Sequence, residues 1–367
     1  MFRRGDKACE NQIHLRDGQL TGKPSIPGKL QEKRRIEFID LAKGICILLV
    51  MAYHSSLFDH PWLHNLRMPL YFILSGLFFK DYGGILATTV KKVNRLIIPA
   101  LFFTAGGFLC ALYLHYDVSM LYEMRKTAVD AYNEPMWFLI SLFSLNVIFC
   151  IIVRITQNTP AIAAICVLMF IAAYTIQDTF TPEADGSYLY ILQTMAAAPY
   201  FFLGWVIRRT PLLYDRGKLS HTLIPATVLI ALSGLLYLST GTYSDIKSMT
   251  GKAVWMSVPC GVLLVTGVLL LLKPVNRIPF ISWIGRYSVI ALGVHLWANE
   301  WTRNFVAKYG MWDLEYSWIH FIGCVTLSAL AIYPLRKLFP WFTAQKDLIP
   351  QPSEWRIPSW MKKDRAS

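Results

Sequence analysis

Charge is what this chain is short of. Only 16% of its 367 residues are Asp, Glu, Lys or Arg, against roughly 25% in an ordinary soluble domain. Hydrophobic residues make up 54%, and the mean hydropathy is +0.40. A soluble enzyme of this length could bury a large core, but it would not need repeated uncharged runs long enough to cross a bilayer. The signatures of several familiar catalysts are also missing. There is no G-x-x-x-x-G-K-[ST] phosphate loop, no H-E-x-x-H zinc motif and no G-x-S-x-G nucleophile elbow, so any enzymatic chemistry is written elsewhere. The seven cysteines form no C-x-x-C pair; six lie in apolar runs and Cys9 near the start, which suggests neither a disulfide framework nor a metal site. The net charge of +13 is spread over many short segments, so a nucleic-acid partner is not supported.

What fills the chain instead is apolar runs, at about 38–57, 67–79, 96–115, 135–153, 160–177, 187–207, 221–240, 253–272, 281–301 and 316–335. Most approach the roughly 20 residues that a helix needs for a 30 Å hydrocarbon core, and the second and ninth fit least well. An open strand would leave backbone groups unsatisfied in lipid. The expected fold is therefore all-α, a polytopic membrane protein of about ten transmembrane helices. With the N-terminus inside, 28 of the 36 basic residues fall in inside segments, 7 outside, and Lys43 within the first span. The positive-inside rule then puts both termini in the cytoplasm. Residues 1–35 read as a mobile cytoplasmic leader, 36–340 as the transmembrane domain and 341–367 as a cytoplasmic tail. The first apolar run comes too late for a signal peptide and continues as a full span.

The first span, "DLAKGICILLVMAYHSSLF", keeps an aspartate, a lysine and a histidine. At 100° per residue, Lys43 and His54 differ by about 20° in direction and Asp40 lies about 40° from His54, so all three share a face. Lys43 and His54 are roughly 16 Å apart along the axis, with the lysine toward the inner side. Ionisable groups in a span usually face the bundle interior and mark a pathway or a reaction site. A plainer reading stands beside this one. Asp40 and Lys43 can form an ion pair near the inner interface, Lys43 can snorkel, and His54 can be an ordinary interface residue.

Taken together, "RRIEFIDLAKGICILLVMAYH", "MPLYFILSGLFFK", "KKVNRLIIP", "MWFL" and "IGRYSVIALGVHLW" resemble the acyltransferase-3 family of polytopic membrane O-acyltransferases. The resemblance spans 34 to about 335 and looks closest to the fucose 4-O-acetylase-like branch. It implies transfer of an acyl group, acetyl above all, from acyl-CoA to a sugar hydroxyl of a bacterial surface or lipid-linked glycan. The implied site is the bacterial cytoplasmic membrane, with acetyl-CoA as donor substrate and no metal. The family pattern of a basic residue, ten residues and a histidine maps onto Lys43 and His54. Many members carry arginine at the first position, and lysine offers a point charge instead of a planar fork.

That chemistry assigns roles. A base near neutral pH must take the hydroxyl proton, and an unperturbed histidine has a pKa of about 6.5, which suits His54. The phosphates of the donor call for cations on the inner side, for which Lys43, Lys91, Lys92 and Arg95 are candidates; the positive-inside rule alone also explains "KKVNR". His295 is open to three readings: acceptor binding, orientation of His54, or packing. Glu134 and Trp137 suit a sugar acceptor, with a carboxylate for hydroxyls and a ring for the apolar sugar face, although Trp137 also fits an interfacial aromatic belt. Ser75 and Gly76 read as a close-packing site. "PLYFILSGLFFK" (69–80) and "PYFFLGWVIRR" (199–209) look alike, a weak internal repeat of the kind transporters show. A polysaccharide or lipid-linked sugar exporter is accordingly the rival reading, and a scaffold without chemistry a third.

Overall fold

The computed structural model describes residues 36–125, 127–179, 190–210, 219–310 and 317–352. The expected leader at 1–35, and the part of the expected tail beyond 352, lie outside the described residues. The described chain is helical almost throughout, since only an internal hydrogen-bond ladder satisfies the backbone in hydrocarbon. It opens with α1 (Glu37–His54), α2 (His64–Leu77) and α3 (Ile85–Lys92), the last running through a π-helical turn at Val93–Ile97 into α4 (Ile98–Tyr113). The short α5 (Val118–Arg125) and α6 (Ala128–Asn133) lead through a 3-10 turn into α7 (Trp137–Ile155), followed by α8 (Thr159–Thr179), α9 (Ile191–Ile207) and α10 (Leu219–Thr240). Two strands pair antiparallel as a small hairpin, β1 (Tyr243–Asp245) and β2 (Thr250–Lys252), with Tyr243 opposite Lys252. Then come α11 (Ser257–Val275), α12 (Pro279–Arg286), α13 (Ser288–Ala307) and α14 (Ser317–Leu338).

Among the described residues, six helical stretches are long and apolar enough to cross a membrane: Ile85–Tyr113, Ala128–Ile155, Thr159–Gln177, Thr222–Thr240, Val254–Val275 and Ser317–Leu338. The other four of the ten expected spans differ for separate reasons. α1 stops at His54, short of residue 57, and carries Glu37, Asp40 and Lys43. α2 has 14 residues, about 21 Å of helix, and α9 has 17, about 26 Å. The expected ninth span is not one helix. The chain breaks at Tyr287 between α12 and α13, and α13 continues to Ala307 with Glu300 and Arg303 on its last turns.

α1 occupies the interior, packed against α2, α11, α12 and α13, with most of its residues buried. This accounts for its charges: a helix wrapped by protein need not be apolar on every side. Its contact with α12 is backbone to backbone. A Cβ on Gly44 would collide with the Ile281 carbonyl, and one on Gly285 with the Asp40 carbonyl. The two look-alike strings are α2 and α9, and they pack on each other in the same reciprocal way, Gly76 against the Phe201 carbonyl and Gly204 against the Ile73 carbonyl. Small residues permit this approach where lipid offers no hydrophobic drive. Ser75, beside Gly76, accepts a hydrogen bond from Asn146 Nδ2 at 3.3 Å.

Candidate active site

Two cavities open along α1, and each takes one end of its polar stripe. The one at the His54 end is a cleft of about 240 Å³ into which Tyr53 and His54 of α1 face His64 and Arg67 of α2. Glu134 from the 3-10 turn before α7 and Trp137 at the start of α7, with Asp245 and Lys247 from the hairpin, line it too. His54 is the last residue of α1, and its carbonyl, one of the orphans at a helix end, accepts from Asn299 Nδ2 at 2.9 Å and Arg303 Nη2 at 3.2 Å. The Arg67 side chain is 5% exposed. Its guanidinium lies 4.5 Å from the Tyr53 ring centroid and donates through Nη2 to Asp59 at 2.8 Å. On the far wall, the Lys247 ammonium meets Asp130 at 2.9 Å and Glu134 at 3.5 Å. Asp130 also accepts from the Tyr190 hydroxyl at 2.9 Å, so the hairpin is tied to the segment before α7.

The second cavity, at the Lys43 end and about 200 Å³, is mostly apolar, with Leu74, Phe138 and Leu292 in its walls, but both Lys43 and Lys92 reach it. The Lys43 carbonyl accepts from the Tyr71 hydroxyl at 3.0 Å, and its ammonium stands 5.9 Å from the Phe78 ring centroid. Consecutive residues of α7, Trp137 and Phe138, line the first and the second cavity respectively. The cations of "KKVNR" are divided. Lys91 and Arg95, one helical turn apart, both hold Asp347 of the C-terminal segment, at 2.6 and 3.2 Å, whereas Lys92 faces the cavity.

The family model for the acyltransferase domain, Acyl_transf_3, matches residues 36–335. The chain belongs to the acyltransferase-3 family. No curated protein and no solved structure matches it. Within this acyltransferase, Lys43 and His54 line cavities on the same side of α1, toward α2 and α7, as the helical period requires. Asp40 turns elsewhere. It is 5% exposed and lies 3.7 Å from Arg286 of α12, whose guanidinium also meets Glu37 at 3.2 Å. Trp137 is 4% exposed and packs on Tyr190 and Phe138, so it is part of the protein interior and not of a lipid-facing belt. His295 is fully buried beside His54, ring centroids 5.1 Å apart.

Six polar side chains of the acyltransferase cleft have no role assigned from sequence: Tyr53, His64, Arg67, Ser244, Asp245 and Lys247. Arg67 had a signal, being an arginine at the head of an apolar string. Lys247 had none, because its partners lie more than a hundred residues earlier in the chain. Chemically, the cleft offers two imidazoles, carboxylates able to accept from hydroxyls and a buried guanidinium, all around one opening.

Proposed function

We propose that this membrane acyltransferase moves an acetyl group from acyl-CoA, arriving from the cytoplasm, to a sugar hydroxyl of a surface or lipid-linked glycan in the bacterial cytoplasmic membrane. The observation that carries the reading is the division of α1 between two environments. His54 stands in a polar cleft with Glu134 and Asp245, while Lys43 and Lys92 stand over an apolar cavity further along the same helix. In direct transfer, His54 takes the hydroxyl proton as the oxygen attacks the thioester carbonyl. The C–S bond then breaks, and the proton passes to the departing sulfur to give CoA. Lys43 and Lys92 suit the anionic donor as point charges, and the apolar walls suit its pantetheine arm. Glu134 and Asp245 accept from sugar hydroxyls. His54→Ala should abolish acylation while membrane levels hold. Mass spectrometry of envelope glycans should then show the loss of one acyl mass, as in cells lacking the gene. Wild-type acylation by the variant refutes the base assignment.

A further inference from the structure

α13 turns one polar face toward the end of α1. His295, Asn299 and Arg303 follow one another at intervals of four, the spacing of a single helical face. Two of the three hold the His54 carbonyl through hydrogen bonds. The third stands beside the imidazole, with ring planes tilted by 58°.

The protonation of His295 follows from its contacts. Nδ1 lies 2.8 Å from the Leu292 carbonyl oxygen; a carbonyl only accepts, so Nδ1 carries the hydrogen. In a neutral imidazole Nε2 is then a bare acceptor. This Nε2 is buried and has no hydrogen-bond partner among the described residues, which is a costly state for a polar atom. A ring-to-ring hydrogen bond of about 3 Å places imidazole centroids roughly 5 Å apart. The observed separation is 5.1 Å, so a small rotation brings an N–H of His54 onto the vacant acceptor.

We infer that His295 is a positioning residue for the base: its Nε2 accepts the N–H of His54, which fixes the tautomer and leaves the other His54 nitrogen bare for the acceptor hydroxyl. When His54 takes that proton, the same bond holds the imidazolium in place. The inference rests on the reading of His54 as the base.

The test uses full-length protein in nanodiscs with acetyl-CoA and envelope glycan from cells lacking the gene, read as CoA release. His295→Leu removes the acceptor. It should lower kcat roughly 10- to 100-fold, the effect of one hydrogen bond to an ionising group, with the acetyl-CoA KM unchanged within about twofold. His295→Asn keeps an amide for the Leu292 carbonyl but is too short to reach His54, and should lose as much. His295→Gln, whose Oε1 can take the same N–H, should recover most of the rate. Failure of rescue by glutamine in a normally folded variant, or wild-type kcat in His295→Leu, overturns the inference. Full turnover by His54→Ala alone instead refutes the base reading on which it rests.

Discussion

Replacing Asn94 by leucine should release the C-terminal segment from the helix it lies against. Asn94 sits in the π-helical turn between α3 and α4, fully buried, and both ends of its amide are used. Nδ2 donates to the Val90 carbonyl at 3.1 Å and the Ile349 carbonyl at 2.8 Å. Oδ1 accepts from the backbone N–H groups of Leu348 and Ile349, both at 2.8 Å. Leucine keeps the volume and loses all four bonds. Three of them hold residues 348 and 349, and at a net value of about 1 kcal/mol each their loss weakens docking by roughly 3 kcal/mol, or about 100-fold in the equilibrium. The part-exposed pairs from Asp347 to Lys91 and Arg95 are worth about 1 kcal/mol or less, so Asp347→Asn should shift docking less than about tenfold. Phe102, which packs on Phe339 and Phe342, keeps the earlier part of the segment in place in both variants. Hydrogen exchange in nanodiscs, read at the Leu348 and Ile349 amides, measures the difference directly. Unchanged protection in Asn94→Leu, or greater opening in Asp347→Asn, refutes the assignment of the asparagine as the main clamp.

Three further outcomes follow from the packing and charge. Gly285→Ala would push a methyl group into the Asp40 carbonyl and the Gly44 amide, an overpacking worth about 1–3 kcal/mol or more. It should lower the unfolding temperature in detergent, whereas Gly106→Ala, with open space around it, should be neutral or stabilising. At the corner after α2, burial opposes ionisation of Asp81, yet its bond from Arg154 and those from the Gly83 and Gly84 amides hold its carboxyl below the usual carboxylate range. The contribution of a carboxylate held low is complete above its unfolded pKa, about 3.9, and is lost as pH falls through the lower folded value. The thermal melting difference between wild type and Asp81→Asn should therefore be full near neutrality and shrink below about pH 4. Finally, Lys43→Ala and Lys92→Ala should raise the acetyl-CoA KM. Lys91→Ala, whose ammonium is committed to Asp347 at 2.6 Å, should leave that KM near wild type; an equal rise in all three would refute the division of the basic cluster.

Composition and helical period by themselves determined the membrane class, the helical fold and the single face shared by Lys43 and His54, because each depends on local chain geometry and on the solvent that surrounds it. Motif order along residues 34 to 335 was likewise enough to point to the family that matches 36–335. The partners of those residues were decided only in three dimensions. Asp40 meets Arg286, and Lys91 and Arg95 meet Asp347, across gaps of more than two hundred residues. No local pattern encodes such pairings, since long-range packing chooses which helices touch. The same holds for the break at Tyr287 and for the hairpin that carries Lys247 to Glu134. Even the adjacent residues Lys91 and Lys92 part company, because neighbours on a helix point about 100° apart and meet different surroundings. The chain thus wrote its polar stripe in one helix, and the packed bundle determined which neighbours each of those groups would have.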